Sequence, residues 1–268
     1  MKKNLFRNLV AFIFCFMLIL NINGSSILAQ TPNVELYSAK METTYADTGR
    51  MTGYYASGYI YVKNLNVNKN VTVHYTYDGY NWYDQSASYY KTLSDGSEVW
   101  SFTTPHESYT PAHQYTYNCK FAIKYEVNGN TYWDNNNGND YFLQCSSTSF
   151  NSPYALSKSV VMLDKTGRSY NSIYGSIFMK NLAYDKVVKV RYTTDNWQTY
   201  HDVDASYNCN LGNNVELWLF NTINDGSTIP WSCGGEYAVS YTVNGVTYWD
   251  NNFGDNYSFS PTQDPNLP

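Results

Sequence analysis

The chain has 268 residues, a net charge of −5 and only 15% charged residues. It carries no basic cluster, which excludes nucleic acid and anionic membrane surfaces as partners. Its excess is aromatic, with 29 Tyr, 12 Phe and 7 Trp; that is more rings than a core needs, and tyrosine hydroxyls require water or a polar ligand.

The chain opens on Lys2, Lys3 and Arg7, followed by the apolar run Leu9–Leu20 and a small-residue exit at Ser25, Ser26 and Ala29. The run is too short for a membrane span, and this order predicts a signal peptide over residues 1–29 and a secreted, extracellular chain with no membrane contact. Outside it stand Cys119, Cys145, Cys209 and Cys233. An even count in an exported protein predicts two disulfides, and the pairing Cys119–Cys145 with Cys209–Cys233 keeps each bridge within one half of the chain. No CxxC is present and no His lies close to a Cys, so a cysteine metal site is not expected.

From residue 30 the chain repeats itself. SGYIYVKNL (Ser57 to Leu65) returns as YGSIFMKNL (Tyr174 to Leu182), and YTYDGYNWYDQSASY from Tyr75 returns as YTTDNWQTYHDVDASY from Tyr192. VWSF (Val99 to Phe102) returns as LWLF (Leu217 to Phe220), and FAIKYEVNGNTYWDNN from Phe121 as YAVSYTVNGVTYWDNN from Tyr237. Collinear repeats of this length are tandem domains rather than solenoid units. The boundaries read as copy one over 30–148, copy two over 149–260 and a loose tail over 261–268, with SSTSFNSP (Ser146 to Pro153) as linker. Within each copy apolar residues alternate, as at Val71, Val73 and Tyr75 or Val239, Tyr241 and Val243. That period is a half-buried strand, and Asn128-Gly129 and Asn244-Gly245 between such runs predict type I′ hairpins. The fold class is therefore all-β, with two tandem antiparallel β-sandwiches.

The hairpin leads into TYWDNNNGNDY (Thr131 to Tyr141) and TYWDNNFGDNY (Thr247 to Tyr257). Neighbours on a strand face opposite sides, so only one of Tyr132 and Trp133, and one of Tyr248 and Trp249, points into a core. Three readings fit the polar residues that follow. Asp134, Asn136 and Asp140 could ligate calcium, although no closing Glu follows. Asp, Asn and Gly could simply cap a tight turn. An exposed Trp beside amides and a carboxylate could instead cover the C–H face of a sugar while bracketing its hydroxyls. Trp82 and Trp197, each in an Asp/Asn-rich turn, add a second platform.

The string YEVNGxTYWDNNxGxxY, together with IYVKNL, VxVxYTxD and ASY, resembles the family 21 carbohydrate-binding modules. These are the starch-binding domains of some fungal glucoamylases and the glycogen-binding domains of protein phosphatase 1 targeting subunits. The resemblance spans both copies over nearly their whole length. It implies immunoglobulin-like sandwiches that bind starch, glycogen or maltooligosaccharides, with no cofactor. In the first family site it implies stacking by Trp197 in copy two, by Tyr80 and Trp82 in copy one, and by Trp133 and Trp249. A third aromatic of that site is Ala122 and Ala238 here. In the second site it implies Tyr184, Lys186, Tyr207, Asn251 and Asn256 in copy two. Copy one has Val67 at the Tyr184 position and keeps Asn64, Lys69, Tyr89 and Asn135, so copy two is the more complete. Glycoside hydrolysis needs two carboxylates across a bond, and no third domain remains to form such a cleft, so the expected protein is not an enzyme. A separate secreted amylolytic enzyme would be its companion; a secreted adhesin or accessory module for another glycan is the alternative. Lys189 to Tyr192 (KVRY) echoes a phosphatase-docking motif but falls within a predicted strand.

Overall fold

The computed structural model describes residues 32–108, 116–146, 153–226 and 228–262. The signal peptide read over 1–29, most of the predicted linker and residues 263–268 of the tail lie outside the described residues. Ten strands build the first copy: β1 (Val34–Tyr45), β2 (Met51–Val62), β3 (Lys69–Thr76), β4 (Tyr83–Ser86), β5 (Ser88–Thr92), β6 (Glu98–Thr103), β7 (Glu107–Ser108), β8 (Thr116–Val127), β9 (Asn130–Asp134) and β10 (Tyr141–Ser146). One sheet runs β1-β2-β6-β5 with β7 on β2; the other runs β10-β8-β3-β4 with β9 on β8. All pairings are antiparallel. The alternating residues meet between the sheets, with Leu36, Ile60, Val73, Phe121, Ile123 and Tyr125 sealed from solvent. Both positions of the Asn128-Gly129 turn have positive φ, as a type I′ hairpin requires, and the same holds for Asn244-Gly245.

A short strand, β11 (Tyr154–Leu156), follows. The second sandwich then comprises β12 (Val161–Arg168), β13 (Ile173–Lys180), β14 (Lys186–Thr193), β15 (His201–Asp204), β16 (Ser206–Asn210), β17 (Val215–Asn221), β18 (Gly235–Val243), β19 (Val246–Asp250) and β20 (Tyr257–Phe259). Its sheets run β12-β13-β17-β16 and β15-β14-β18-β19, the latter with β20 on β18. Ile177, Met179, Val190, Val239 and Tyr241 form its own core. The KVRY tetrapeptide lies in β14 with Val190 and Tyr192 buried in that core and Arg191 paired to Asp202.

Two differences from the sequence reading stand out. First, β11 falls inside the stretch assigned to copy two yet pairs with β1 of copy one. Residues 153–159 continue along β1, with Met41 N–H donating to Pro153 O (2.8 Å), Lys158 N–H to Leu36 O (2.9 Å) and Ser159 N–H to Tyr37 O (3.0 Å). The unpaired edge of β1 thus captures the chain as it crosses to copy two. The described residues from Pro32 onward fall in one compact unit. Second, the predicted disulfides are overturned: Cys119, Cys209 and Cys233 are free thiols. Cys119 faces Leu143 across the β8–β10 ladder, whereas Cys145 faces Tyr117. Such diagonal neighbours stand about 7–8 Å apart, beyond the usual Cα separation of a disulfide. Cys209 packs with Phe178 and Leu211 while Cys233 packs against the second core, so the other pair serves two separate clusters. Burial pushes the Cys119 thiol up to about 12, which keeps it protonated and unreactive at neutral pH.

Candidate functional site

The repeated loop is held by its own side chains. Asn135 accepts a hydrogen bond from Gly138 N–H (3.0 Å), and Asn251 accepts the same bond from Gly254 N–H (3.0 Å). Asn136, Asn137 and Asp140 adopt positive φ, as do Asn252, Phe253 and Asn256. Asparagine and aspartate tolerate this conformation, and Phe253 is the exception among the six.

The acid of each loop ties the two sheets together. Asp134 Oδ2 accepts Leu36 N–H from β1 (2.6 Å) and the Tyr141 hydroxyl (2.8 Å). Asp250 Oδ2 accepts Leu163 N–H from β12 (2.6 Å) and the Tyr257 hydroxyl (2.9 Å). Each acceptor meets its strand beside a register shift, between Leu36 and Ser38 or Leu163 and Lys165, where ladder pairing is interrupted. Burial raises the Asp250 carboxyl above the ordinary aspartate value, with the Leu163 N–H opposing the shift. These carboxylates are filled by protein donors, and the described residues contain no group of three or more His, Cys, Asp or Glu able to hold a metal. The calcium reading therefore has no support at Asp134 or Asp250.

The loop acids face inward, and the tryptophan before each faces out. Tyr132 and Tyr248 pack on the cores, while Trp133 and Trp249 remain 50% and 44% exposed. Both stand on the outer face of the sheet that carries β3 and β8, or β14 and β18. In copy one His74 stacks on Trp82 (4.8 Å, 13° between planes), meets Trp133 edge-on (6.1 Å) and bonds Asp84 (2.6 Å). In copy two Arg191 takes the His74 position: it lies over Tyr200 (3.9 Å) and Trp249 (5.4 Å) and grips Asp202 through two 2.7 Å bonds. The guanidinium holds the Asp202 carboxyl below its usual range. Ala122 and Ala238, where the family carries a further aromatic, pair with His74 and Arg191 on the same face.

The structure separates the residues that shared a turn in sequence. Tyr80, 88% exposed, occupies the place of Trp197 after the turn-capping Asp78 and Asp195, while Trp82 corresponds to Tyr200. Trp197 is fixed by its indole N–H donating to Glu236 Oε2 (2.6 Å), an oxygen that also accepts from Asn256 Nδ2 (2.9 Å). The Trp197 contact is the main reason that the Glu236 carboxyl titrates below its ordinary value. Asn256 thus stands with Trp197, and neither it nor Asn251 lines the depression that holds Tyr184.

A second aromatic face lies at the edge of each sandwich. Tyr184 (96% exposed), Lys186, Tyr207, Trp218 and Asn244 line one open depression. Lys186 is not free there. Its Nζ donates to Glu216 (2.8 Å) and Asn181 (2.7 Å), and Glu216 also accepts the Trp218 indole N–H (2.9 Å). The lysine is a buried brace that sets Trp218 against Tyr207 (6.0 Å, 81°). Copy one repeats the brace with Lys69, Glu98, Asn64 and Trp100 beside Tyr89, but has Val67 in place of Tyr184. Trp100, Trp218 and the Glu–Lys brace escaped the sequence reading. Their signal was the repeated VWSF and LWLF blocks, each preceded by Glu.

The family model described as "Carbohydrate/starch-binding module (family 21)" matches residues 29–144 and 155–260. Protein phosphatase 1 regulatory subunit 3C of Bos taurus is 37% identical over 101 residues, covering 37% of this chain and 32% of that protein. Glucoamylase 1 of Rhizopus oryzae is 34% identical over 111 residues, covering 40% and 17%. The starch binding domain of Rhizopus oryzae glucoamylase, solved in complex with beta-cyclodextrin and maltoheptaose, is 32% identical with a TM-score of 0.33, covering 40% of this chain and 98% of that one. The chain thus spans about a third or less of the curated relatives' length. The expected secreted, extracellular location is overturned by these relatives, which include protein phosphatase 1 regulatory subunits and a glycogen-binding subunit that are not secreted. With two family-model matches that together cover most of its length, the chain belongs to the family 21 carbohydrate/starch-binding modules, as two tandem copies.

Proposed function

We propose that the chain is a non-catalytic α-glucan-binding protein whose two modules each grip starch- or glycogen-type chains. The observation that carries this reading is the pairing, in both copies, of an outward tryptophan with a loop whose amides and carboxylate are already braced. Trp133 and Trp249 offer flat apolar faces at no cost in ordering the loop, and the neighbouring amide N–H groups can meet sugar hydroxyls. Tyr184, Tyr207 and Trp218 give copy two a second platform. The family and the relatives' printed names support starch or glycogen as the ligand class.

The test is calorimetric titration of the full chain with maltoheptaose, using Trp133→Ala, Trp249→Ala and the double variant. A stacked ring is worth about 1–3 kcal/mol when truncated, so each single change weakens its own site by about tenfold or more and the double variant loses most binding. Unchanged affinity in the double variant would remove both tryptophans from the site.

The regulatory-subunit relatives favour a second reading, recruitment of a protein phosphatase. KVRY supplies no docking peptide for it, because Val190 and Tyr192 are core residues. Co-precipitation of the full chain with a phosphatase 1 catalytic subunit tests this reading directly.

A further inference from the structure

The repeated loops differ at three positions, where Asn137, Asn139 and Asp140 of copy one become Phe253, Asp255 and Asn256. Two of the replacements touch copy one. The Phe253 ring enters a cluster of its tyrosines, with centroids 4.8 Å from Tyr37, 5.2 Å from Tyr59 and 5.7 Å from Tyr90. Asp255 pairs with Lys91 of β5 (2.5 Å), and a further pair, Lys40 with Asp164 (3.2 Å), crosses the same boundary. The third replacement serves copy two itself. Asn256 Nδ2 donates to the Glu236 oxygen that also holds the Trp197 indole (2.9 and 2.6 Å). In copy one Asp140 pairs instead with Lys120 (3.1 Å), which stands at the Glu236 position.

Phe253 adopts φ 56° and ψ 33°, a left-handed conformation that a bulky side chain resists and that tertiary packing must enforce. The tyrosines of copy one supply that packing, so the loop of copy two is a docking element. One amide then joins its docked side to its sugar-facing side. Asn252 Oδ1 accepts the Tyr90 hydroxyl (3.3 Å), while Asn252 Nδ2 donates to the backbone carbonyl of Asn256 (3.2 Å). Tyr90 of copy one thus reaches, through a single side chain, the residue that shares Glu236 with Trp197. The relation is one-way. The positions of Tyr37, Tyr59 and Tyr90 carry Asp164, Ser176 and Asn208 in copy two, so no aromatic socket faces back. Asn136 and Asn137 of copy one are exposed, whereas Asn252 and Phe253 are half-buried.

We propose that copy one positions the glucan site of copy two, with Tyr90 as a positioning residue that acts through Asn252 and Phe253 on Asn256 and the Glu236–Trp197 pair. This rests on the α-glucan reading above. A loop that is already docked needs no ordering when the sugar arrives, which strengthens binding at Trp197. The Trp133 platform of copy one is independent of the boundary.

The experiment follows two indole N–H resonances of the full chain during titration with maltotriose: that of Trp197, identified by its loss in Trp197→Phe, and that of Trp133, identified by its loss in Trp133→Phe. In Tyr90→Ala the midpoint read at Trp197 moves about fivefold higher, while the midpoint read at Trp133 does not move. Tyr90→Phe keeps the ring against Phe253 and shifts the Trp197 midpoint less. A Trp197 midpoint that Tyr90→Ala leaves in place would overturn the positioning role. So would an equal shift at both indoles, which a general loss of stability produces. If maltotriose leaves Trp197 unperturbed in the unaltered chain the proposal fails, and if it leaves both indoles unperturbed the α-glucan reading fails with it.

Discussion

Asp250 shows how a residue that reads as a ligand can be structural. In sequence it sits next to an exposed tryptophan and two asparagines, the company of a sugar or calcium site. In the fold its carboxylate is buried and satisfies Leu163 N–H and the Tyr257 hydroxyl. Removing it leaves both donors unpaired, so Asp250→Ala should destabilise the protein by about 3 kcal/mol in urea melts. Asp250→Asn keeps an acceptor and should cost less. The two also separate by pH. Burial raises this carboxyl, so its stabilisation is full below the ordinary aspartate range, near pH 3.8, and declines as pH rises through the higher folded value. The Asp250→Asn variant lacks that decline, and a stability–pH profile parallel to that of the unaltered chain would refute the assignment. Strand alternation required one ring of each Tyr–Trp pair to face out, and the structure shows that it is Trp133 and Trp249. The role of the acids was not legible there, because Asp134 reaches Leu36 across 98 residues and Asp250 reaches Leu163 across 87.

Elements tell the same story at longer range. Hairpins, strand periods and the repeat followed from local chemistry: Asn-Gly turns, β-branched alternation and collinear blocks. What failed in the reading depended on distant edges and faces. An even cysteine count suggested bridges, but strand register sets Cys119 diagonal to Cys145 and places Cys209 and Cys233 in different clusters. The start of the stretch assigned to copy two became a strand of copy one because the edge of β1 was open to it. The docking loop had one sequence signal, Phe253 where the other copy has Asn137, and its meaning required the tyrosines of the facing module. Phe253→Asn installs the residue that copy one already tolerates in the same conformation, so the loop itself should form. The ring contacts with Tyr37, Tyr59 and Tyr90 are lost, and small-angle scattering should report a larger radius of gyration for the full chain. An unchanged radius would mean that the Lys40–Asp164 and Lys91–Asp255 pairs and the β11 contact hold the modules without the ring.

At the scale of the whole molecule, two copies of one sandwich have diverged in role. Copy two keeps Tyr184 at its edge, Trp197 on its turn and Arg191 between its platforms. Copy one has Val67, Tyr80 and His74 there and contributes β5 to the boundary. In the proposed function, the exposed rings and braced amides of each sandwich hold a glucan. The decisive measurement is depletion of the full chain from solution by granular starch and by microcrystalline cellulose, with soluble maltoheptaose as competitor. The account predicts retention on starch, release by maltoheptaose and no retention on cellulose; equal or stronger retention on cellulose would contradict it.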